Sequence, residues 1–393
     1  MAHGEVRPAF LVPGSERYGV GEVAVTSIAG LRVHGVSSVV LALGEGFFTD
    51  RCRQLGIEYH VLDVPPLPNF HGGRFTFLKG LLAMRAWQRS AVPVAASALR
   101  ELGATQLVVQ RPVHLEFAGR AAHAAQGACY WMMPNIISDR WMGINWRWYR
   151  DVCRRWNIRP LPDSRYTGAT LGKDIGQKVL YYGVNGELFD PARVKPVTRT
   201  ELGLPDAGCV MGVFARLEAT KGQHVLWRAM LDEIDRGADL HLLLLGGPTD
   251  GPIASDMREL AARCGAQERL HFAGFTTEPE RYYGAIDVAV NSRIDPEPFG
   301  LSVVEAMLMQ KPVLVHALGG PAETVVDGTT GWHVPRPTVE AFAAGIRRVL
   351  ADRGRWGEMG EAARRHAVQN FSLARFGENF LSIVQADDAA ASR

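Results

Sequence analysis

The chain has no C-x-x-C spacing, no 18 uninterrupted apolar residues, no run of lysines or arginines and no Asp-x-Asp pair. Each absence removes a class of protein. Its five cysteines, Cys52, Cys129, Cys153, Cys209 and Cys264, are scattered and odd in number. That argues against a zinc site or a disulfide framework and reads as buried thiols in a reducing cytoplasm. Without a long apolar run no segment qualifies as a membrane-crossing helix, and the apolar PAFLV before Pro13 is too short for a secretory leader. The expected location is cytoplasmic. A formal net charge of +2 with no basic block leaves no footprint for nucleic acid. The missing Asp-x-Asp removes a common carboxylate platform for a divalent cation, so neither metal nor cofactor is expected.

What is present is apolar and periodic. With 393 residues, 47% of them hydrophobic, the chain is long enough for two cores and too apolar for disorder. In the first half PAFLV, SSVVLALG, IEYHVLDV, ATQLVVQ and GACYWM read as buried strands, and VAVTSIAGLRVHG and FLKGLLAMRAWQ have helical spacing. In the second half CVMGVFARL, LHLLLLGG, LHFAGF, DVAVNS and KPVLVHAL repeat the scheme, with helices such as VLWRAMLDEIDRG between them. Strand–helix alternation predicts parallel sheets covered on both faces, hence an α/β protein of two Rossmann-like domains. Gly, Pro and charge replace apolar periodicity near residues 183–205, which places a linker at 186–198. The expected division is an N-terminal domain over 1–185, a C-terminal domain over 186–370, and a final helix with a disordered tail over 371–393.

Three motifs carry chemistry, each beside a plainer reading. Arg216 follows the strand CVMGVFARL, and Lys221-Gly222 starts the next helix. Two cations at a strand's C-terminal end suit a diphosphate, because open α/β sheets bind ligands there; alone, such a pair also fits a solvated loop. Gly246 and Gly247 end a very apolar strand, where a nucleotide could approach the backbone or the chain could simply turn. The third motif is DPEPFGLSVVEAMLMQKP, in which Glu297 precedes a helix and Glu305 lies one turn inside it. The helix start at Phe299, Gly300 and Leu301 offers N–H donors, and carboxylates beside it accept hydrogen bonds from sugar hydroxyls. The plainer reading makes both glutamates partners of the helix dipole.

The ordered set ARLEATKG, LLLLGGP, FAGF, RYYGAIDVAVNS, EPFGLSVVEAM and LGGPAETVVDGTTGWHV resembles the C-terminal half of family 4 glycosyltransferases. These are retaining enzymes of the GT-B fold, two Rossmann-like domains with parallel sheets facing across a cleft. The resemblance covers about residues 160–335 and includes SRYTGATLG and VLYYGVNGELFDP. It implies a nucleotide-diphosphate sugar as donor, with Arg216 and Lys221 on the diphosphate and Glu305 on the ribose hydroxyls. Glu297 and the backbone of Phe299, Gly300 and Leu301 would grip the donor sugar, Gly247 would line the nucleotide, and main chain near Phe275 would read the base. Transfer of a hexosyl-type group to a hydroxyl acceptor, without metal and with retention, follows from the same resemblance. Two alternatives keep the fold: a nucleotide-sugar epimerase or phosphorylase, and a non-catalytic nucleotide-sugar-binding protein.

The N-terminal half matches less well. GSERYGVGEVA resembles the family's glycine-rich loop, which assigns Gly19 and Gly21 to the donor phosphates. Read without the family, Gly19-x-Gly21-x-x-Ala24 with Glu45 also fits a dinucleotide fingerprint. The five-residue spacer after the strand counts against that reading, and an NAD site explains nothing in the second half. Where the family carries a histidine after a mid-domain strand, this chain reads CYWMMPN; His114 is the nearest candidate to replace it, beside its plainer role as a packed or capping residue. Between Trp131 and Trp156 lie Trp141, Trp146 and Trp148, interleaved with Arg140, Arg147, Arg150, Arg154 and Arg155. Core packing, saccharide stacking and peripheral membrane contact through 141–156 all fit this composition, with core packing first. The acceptor class stays open between a saccharide in polysaccharide biosynthesis, a lipid-linked sugar and a small molecule.

Overall fold

The computed structural model describes residues 6–16, 19–68, 74–137, 144–172, 175 and 178–391. The chain divides into two compact units, Met1–Gly183 with Leu373–Arg393, and Val184–Ser372.

The first unit holds strands β1 (Pro8–Pro13), β2 (Val39–Leu43), β3 (Tyr59–Val61), β4 (Gln106–Val109), β5 (Ala128–Met133) and β6 (Ile158–Pro162). The second holds β7 (Cys209–Phe214), β8 (Leu240–Leu245), β9 (Leu270–Gly274), β10 (Val288–Asn291), β11 (Val313–His316) and β12 (Gly331–Val334). The sheet orders are β3-β2-β1-β4-β5-β6 and β12-β11-β10-β7-β8-β9, and each neighbouring pair runs parallel. Counted within each unit, the two orders are the same doubly wound order. In both, the direction of winding reverses beside the first strand, between β1 and β4 and between β7 and β10. Parallel sheets of this kind bind ligands at that reversal, outside the strands' C-terminal ends.

Helices cover both faces. The first unit has α1 (Val20–Val33), α2 (Phe47–Gln54), α3 (Arg74–Glu101), α4 (Leu115–Ala125), α5 (Ile144–Arg155) and α6 (Arg165–Thr170). The second has α7 (Gln223–Asp235), α8 (Pro252–Arg263), α9 (Leu301–Leu308), α10 (Pro321–Thr324), α11 (Val339–Ala351) and α12 (Trp356–Phe371), and α13 (Leu373–Ala391) returns to the first unit. Because both sheet faces are covered, the central strands are apolar without alternation: every residue of β8 is buried. Trp227, Trp332 and Phe342 fill one core, and Trp131, Phe117 and Trp87 the other.

Three expectations need correction. IRPLP is a strand, β6, that apolar periodicity missed because two prolines interrupt it; at a sheet edge prolines cost no ladder bond. The tail expected to be disordered is helical through Ala391. Its reason is packing onto the first unit: Phe376, Phe380 and Val384 are buried, and Asp387 meets Lys178 at 3.2 Å and Arg159 at 3.6 Å. A Cβ on Gly30 would lie 2.6 Å from the Leu373 carbonyl oxygen, so the close crossing of α1 and α13 needs that glycine. Finally, four cysteines are buried, but Cys264, capping α8, is exposed.

Candidate functional site

The loops after β7 and β10 are locked together. Ile294 donates its N–H to the Thr220 carbonyl at 2.9 Å, and Ser292 Oγ donates to the Lys221 carbonyl at 2.8 Å. Gly222, at φ +70°, permits this approach, since a Cβ there would fall 2.0 Å from the Ser292 carbonyl oxygen. Buried Gln223 donates from Nε2 to the Arg216 carbonyl at 2.7 Å and pins the rest of the β7 loop.

This lock carries Lys221 to Glu297. Their ion pair, Nζ to Oε2, is 3.1 Å long, with the side chains 19% and 13% exposed. The other Glu297 oxygen accepts from Arg293 Nη1 at 3.0 Å, and Arg293 also grips Asp295 through Nε at 2.5 Å and Nη2 at 3.1 Å. Burial works against the Arg293 charge, but the hydrogen bonds to Asp295 and the charges of Glu297 and Asp295 outweigh it and raise its pKa. Glu297 is seated from beneath by Gly319-Gly320: the Gly320 N–H donates to its carbonyl at 2.8 Å, and a Cβ on Gly319, at φ +90°, would lie 2.1 Å from that oxygen.

Gly300, at φ +88°, turns the chain into α9. Val303, Val304, Met307 and Leu308 are buried, and the Arg364 guanidinium sits on the Leu308 carbonyl at the far end, where the helix dipole favours a cation. As the first helical residues, Leu301 and Ser302 direct N–H groups outward with no intrahelical acceptor. Phe299 is buried and stacks edge-on against Phe371 at 5.8 Å. Half-buried Glu305 accepts from the Tyr283 hydroxyl at 3.2 Å. Tyr283 is fully buried and stacked on Phe214 at 4.0 Å. Burial first, then the Glu305 charge, push its phenol well above the ordinary range, so it remains a proton donor.

Arg216 behaves differently. Its side chain is 75% exposed and pairs with Glu218 at 2.6 Å, so the structure joins Lys221, but not Arg216, directly to the Glu297 cluster. Gly246, at φ +140°, lets β8 end against the β7 loop, and Gly247 accepts the Leu217 N–H at 2.8 Å. The Gly246 N–H in turn reaches the Gly274 carbonyl at 2.8 Å, and the next residue, Phe275, is 71% exposed. Loop ends of β7, β8, β9 and β10 thus sit side by side, with cations, carboxylates and open main chain. Arg293, Asp295 and Tyr283 are the members that sequence reasoning missed; RIDPE spaced two cation–acid contacts within five residues, which was the available signal.

In the first unit, Gly19 caps α1 at φ +36° with nothing within 4 Å of an added Cβ, while Gly21 lies against Phe48, 3.0 Å from a Cβ. Glu45, the alternative ribose partner, instead accepts from Thr49 Oγ1 at 2.8 Å. His114 is 1% exposed after β4, and burial followed by the Arg111 charge pushes its pKa down to about 4. It is a neutral, enclosed imidazole. Of the tryptophans, Trp131 is core and packs at a tilt against Tyr149 at 5.4 Å, Trp146 lies under Arg150 at 4.6 Å, and Trp148 is exposed. Trp141 and Arg140 lie outside the described residues. No helix among the described residues is long and apolar enough to cross a membrane. A separate open depression of about 380 Å³, lined by Gln310, Glu361, Arg364, Arg365, Val368 and Gln369, meets the site only through Arg364, at the far end of α9.

The family described as Glycosyl transferases group 1 matches residues 194–366, which span the whole β7–β12 cluster. A D-inositol 3-phosphate glycosyltransferase of Streptomyces bingchenggensis is 30% identical over 217 residues, 53% of this chain and 46% of its own. A GDP-mannose-dependent alpha-(1-6)-phosphatidylinositol monomannoside mannosyltransferase of Mycolicibacterium smegmatis is 32% identical over 236 residues, 56% of this chain and 60% of its own. The chain thus spans about half the length of the curated relatives it matches. Among solved structures, Anabaena Alr3699/HepE in complex with UDP superposes with a TM-score of 0.79 at 21% identity, covering 97% of this chain and all of that one. A Rickettsia africae glycosyltransferase gives the same TM-score at 19% identity, over 97% of this chain and 98% of that one. These structural likenesses establish the fold. Residues 194–366 carry the Glycosyl transferases group 1 signature, and the chain has the GT-B fold of these solved glycosyltransferases, as its resemblance to family 4 implied.

Proposed function

We propose that the chain transfers a hexosyl-type group from a nucleotide-diphosphate sugar to a hydroxyl acceptor, with retention and without a metal ion. The observation that carries this reading is the 3.1 Å contact of Lys221 with Glu297, 76 residues apart, at the winding reversal of the second sheet. A cation, a carboxylate and a helix start meet where this fold binds ligands.

In the proposed reaction the diphosphate rests against Lys221 and the N–H groups opening α9. Arg216 joins them by leaving Glu218, since an exposed ion pair of that kind holds only about 0–1 kcal/mol. Glu305 accepts the ribose hydroxyls, its orientation fixed by Tyr283, and Glu297 accepts hydroxyls of the donor sugar. As the anomeric bond breaks, charge grows on the departing phosphate oxygen. Donors already in place there do most of the work, and losing one costs about 3–4 kcal/mol, a factor of roughly 100 to 1000 in rate. The acceptor hydroxyl attacks the face that the diphosphate leaves. Gly19 and Gly21 shape the first unit's phosphate-facing loop in this reading, and His114, enclosed and neutral, serves by packing beside that unit's own winding reversal. The solved neighbours in complex with UDP and UDP-glucose, and the relative named for GDP-mannose, support this donor class. Relatives named for inositol phosphate and phosphatidylinositol mannoside make phosphorylated or lipid-linked polyols the first acceptors to try.

A thermal-shift screen against UDP-, GDP- and ADP-sugars tests the donor. One class should stabilise the chain, Glu305→Ala should weaken that donor about tenfold or more, and turnover should survive chelation by EDTA. A chain that no nucleotide sugar stabilises would contradict the reading.

A further inference from the structure

Glu297 has two cations but, in the proposed reaction, only one of them can stay. Lys221 has a single ammonium, and a diphosphate would draw it. Left alone, a carboxylate 13% exposed beside an arriving diphosphate would be destabilised by both burial and like charge. Arg293 prevents this. Its Nη1 holds the Glu297 oxygen that Lys221 does not touch, while its fork is fixed on Asp295 by two further bonds. The main chain at Arg293 is fixed as well. Its carbonyl accepts from His316 Nδ1 at 2.8 Å, its N–H reaches Asn291 Oδ1 at 3.3 Å, and the residues on either side bond to the β7 loop. Lys221, Arg293, Asp295 and Glu297 together carry zero net charge, so removal of either cation leaves an excess acid at the site.

Building on the donor reading above, we propose that Arg293 is a positioning residue for sugar recognition: it keeps Glu297 oriented toward donor hydroxyls while Lys221 serves the diphosphate. Arg293 therefore acts through Glu297 and touches neither phosphate nor base. That separates its effect from a general electrostatic one, because the free nucleoside diphosphate lacks the sugar that Glu297 holds.

The test is calorimetric titration of the wild-type chain, Arg293→Gln and Arg293→Lys with UDP and UDP-glucose, and with GDP and GDP-mannose. With whichever pair the wild type prefers, Arg293→Gln should bind the nucleotide sugar about tenfold more weakly and the bare diphosphate within about twofold of wild type. Arg293→Lys should recover part of the loss, since a lysine restores the charge but not the two-pronged grip on Asp295. Thermal unfolding of each variant reports whether the fold survives, and Asp295→Asn, which loosens the fork with Arg293 present, should fall between wild type and Arg293→Gln. Equal weakening of diphosphate and sugar nucleotide, or no weakening of either, overturns the proposal. A wild-type chain that binds none of the four overturns the donor reading itself.

Discussion

At the residue scale, the side chains named by their own motif were readable and those defined by a distant partner were not. Glu297, Gly300 and Glu305 stand in one short segment whose turn and helix start are written locally. Tyr283 stands within RYYGAIDVAVNS, yet nothing in that string shows its hydroxyl reaching Glu305 across 22 residues. Arg216 was readable as a cation, but its open pairing with Glu218 depends on which neighbour a long flexible side chain finds first. His114 offers a prediction of its own. Burial holds its pKa at about 4 in the folded chain against about 6.5 when exposed, so between those values the unfolded chain binds the extra proton. Its contribution to stability is complete above pH 6.5 and is lost as pH falls toward 4, amounting to about 2 kcal/mol by pH 5. Denaturant titrations of wild type and His114→Gln at pH 7 and pH 5 check this: the variant should lose less on acidification, by about that amount. An identical loss in both chains would place the proton elsewhere.

At the element scale, buried strands were plain in the sequence because double coverage makes them continuously apolar. Two of the four edge strands, β6 and β12, were not. β6 is interrupted by Pro160 and Pro162, and β12 opens on Gly331, whose Cβ would lie 2.0 Å from the Val313 carbonyl oxygen. The final helix was expected, but its place in the first unit depends on the Gly30–Leu373 approach, which no local pattern announces. The glycines that bind one loop to another are the element-scale determinants of the site. Gly319→Ala should both destabilise the second unit by about 2 kcal/mol or more and weaken donor binding, because it forces strain at positive φ and displaces Glu297. Gly203→Ala supplies the comparison: its φ is +64° with open space around the Cβ, so only the backbone strain, about 1 kcal/mol, should appear. Denaturant midpoints and donor titrations of the two variants measure the contrast, and equal effects would mean that the seat beneath Glu297 does not matter.

At the scale of the whole molecule, strand–helix alternation gave the α/β class and two domains, and both units adopt the same winding order. That order explains why the residues of interest gather after β7 and β10 although they are spread over the second unit. The second half was the more legible because its site is made of main chain, glycines and short motifs. In the proposed reaction the acceptor would be chosen by loop side chains, where neither periodicity nor motif fixes an identity. Whether Lys221 and Glu297 form one end of a nucleotide-sugar site is decided by titrating UDP and GDP into wild type and Lys221→Ala. The preferred diphosphate should bind the variant at least about tenfold more weakly, as loss of a charged hydrogen bond implies. Equal affinity in the two chains would contradict that assignment.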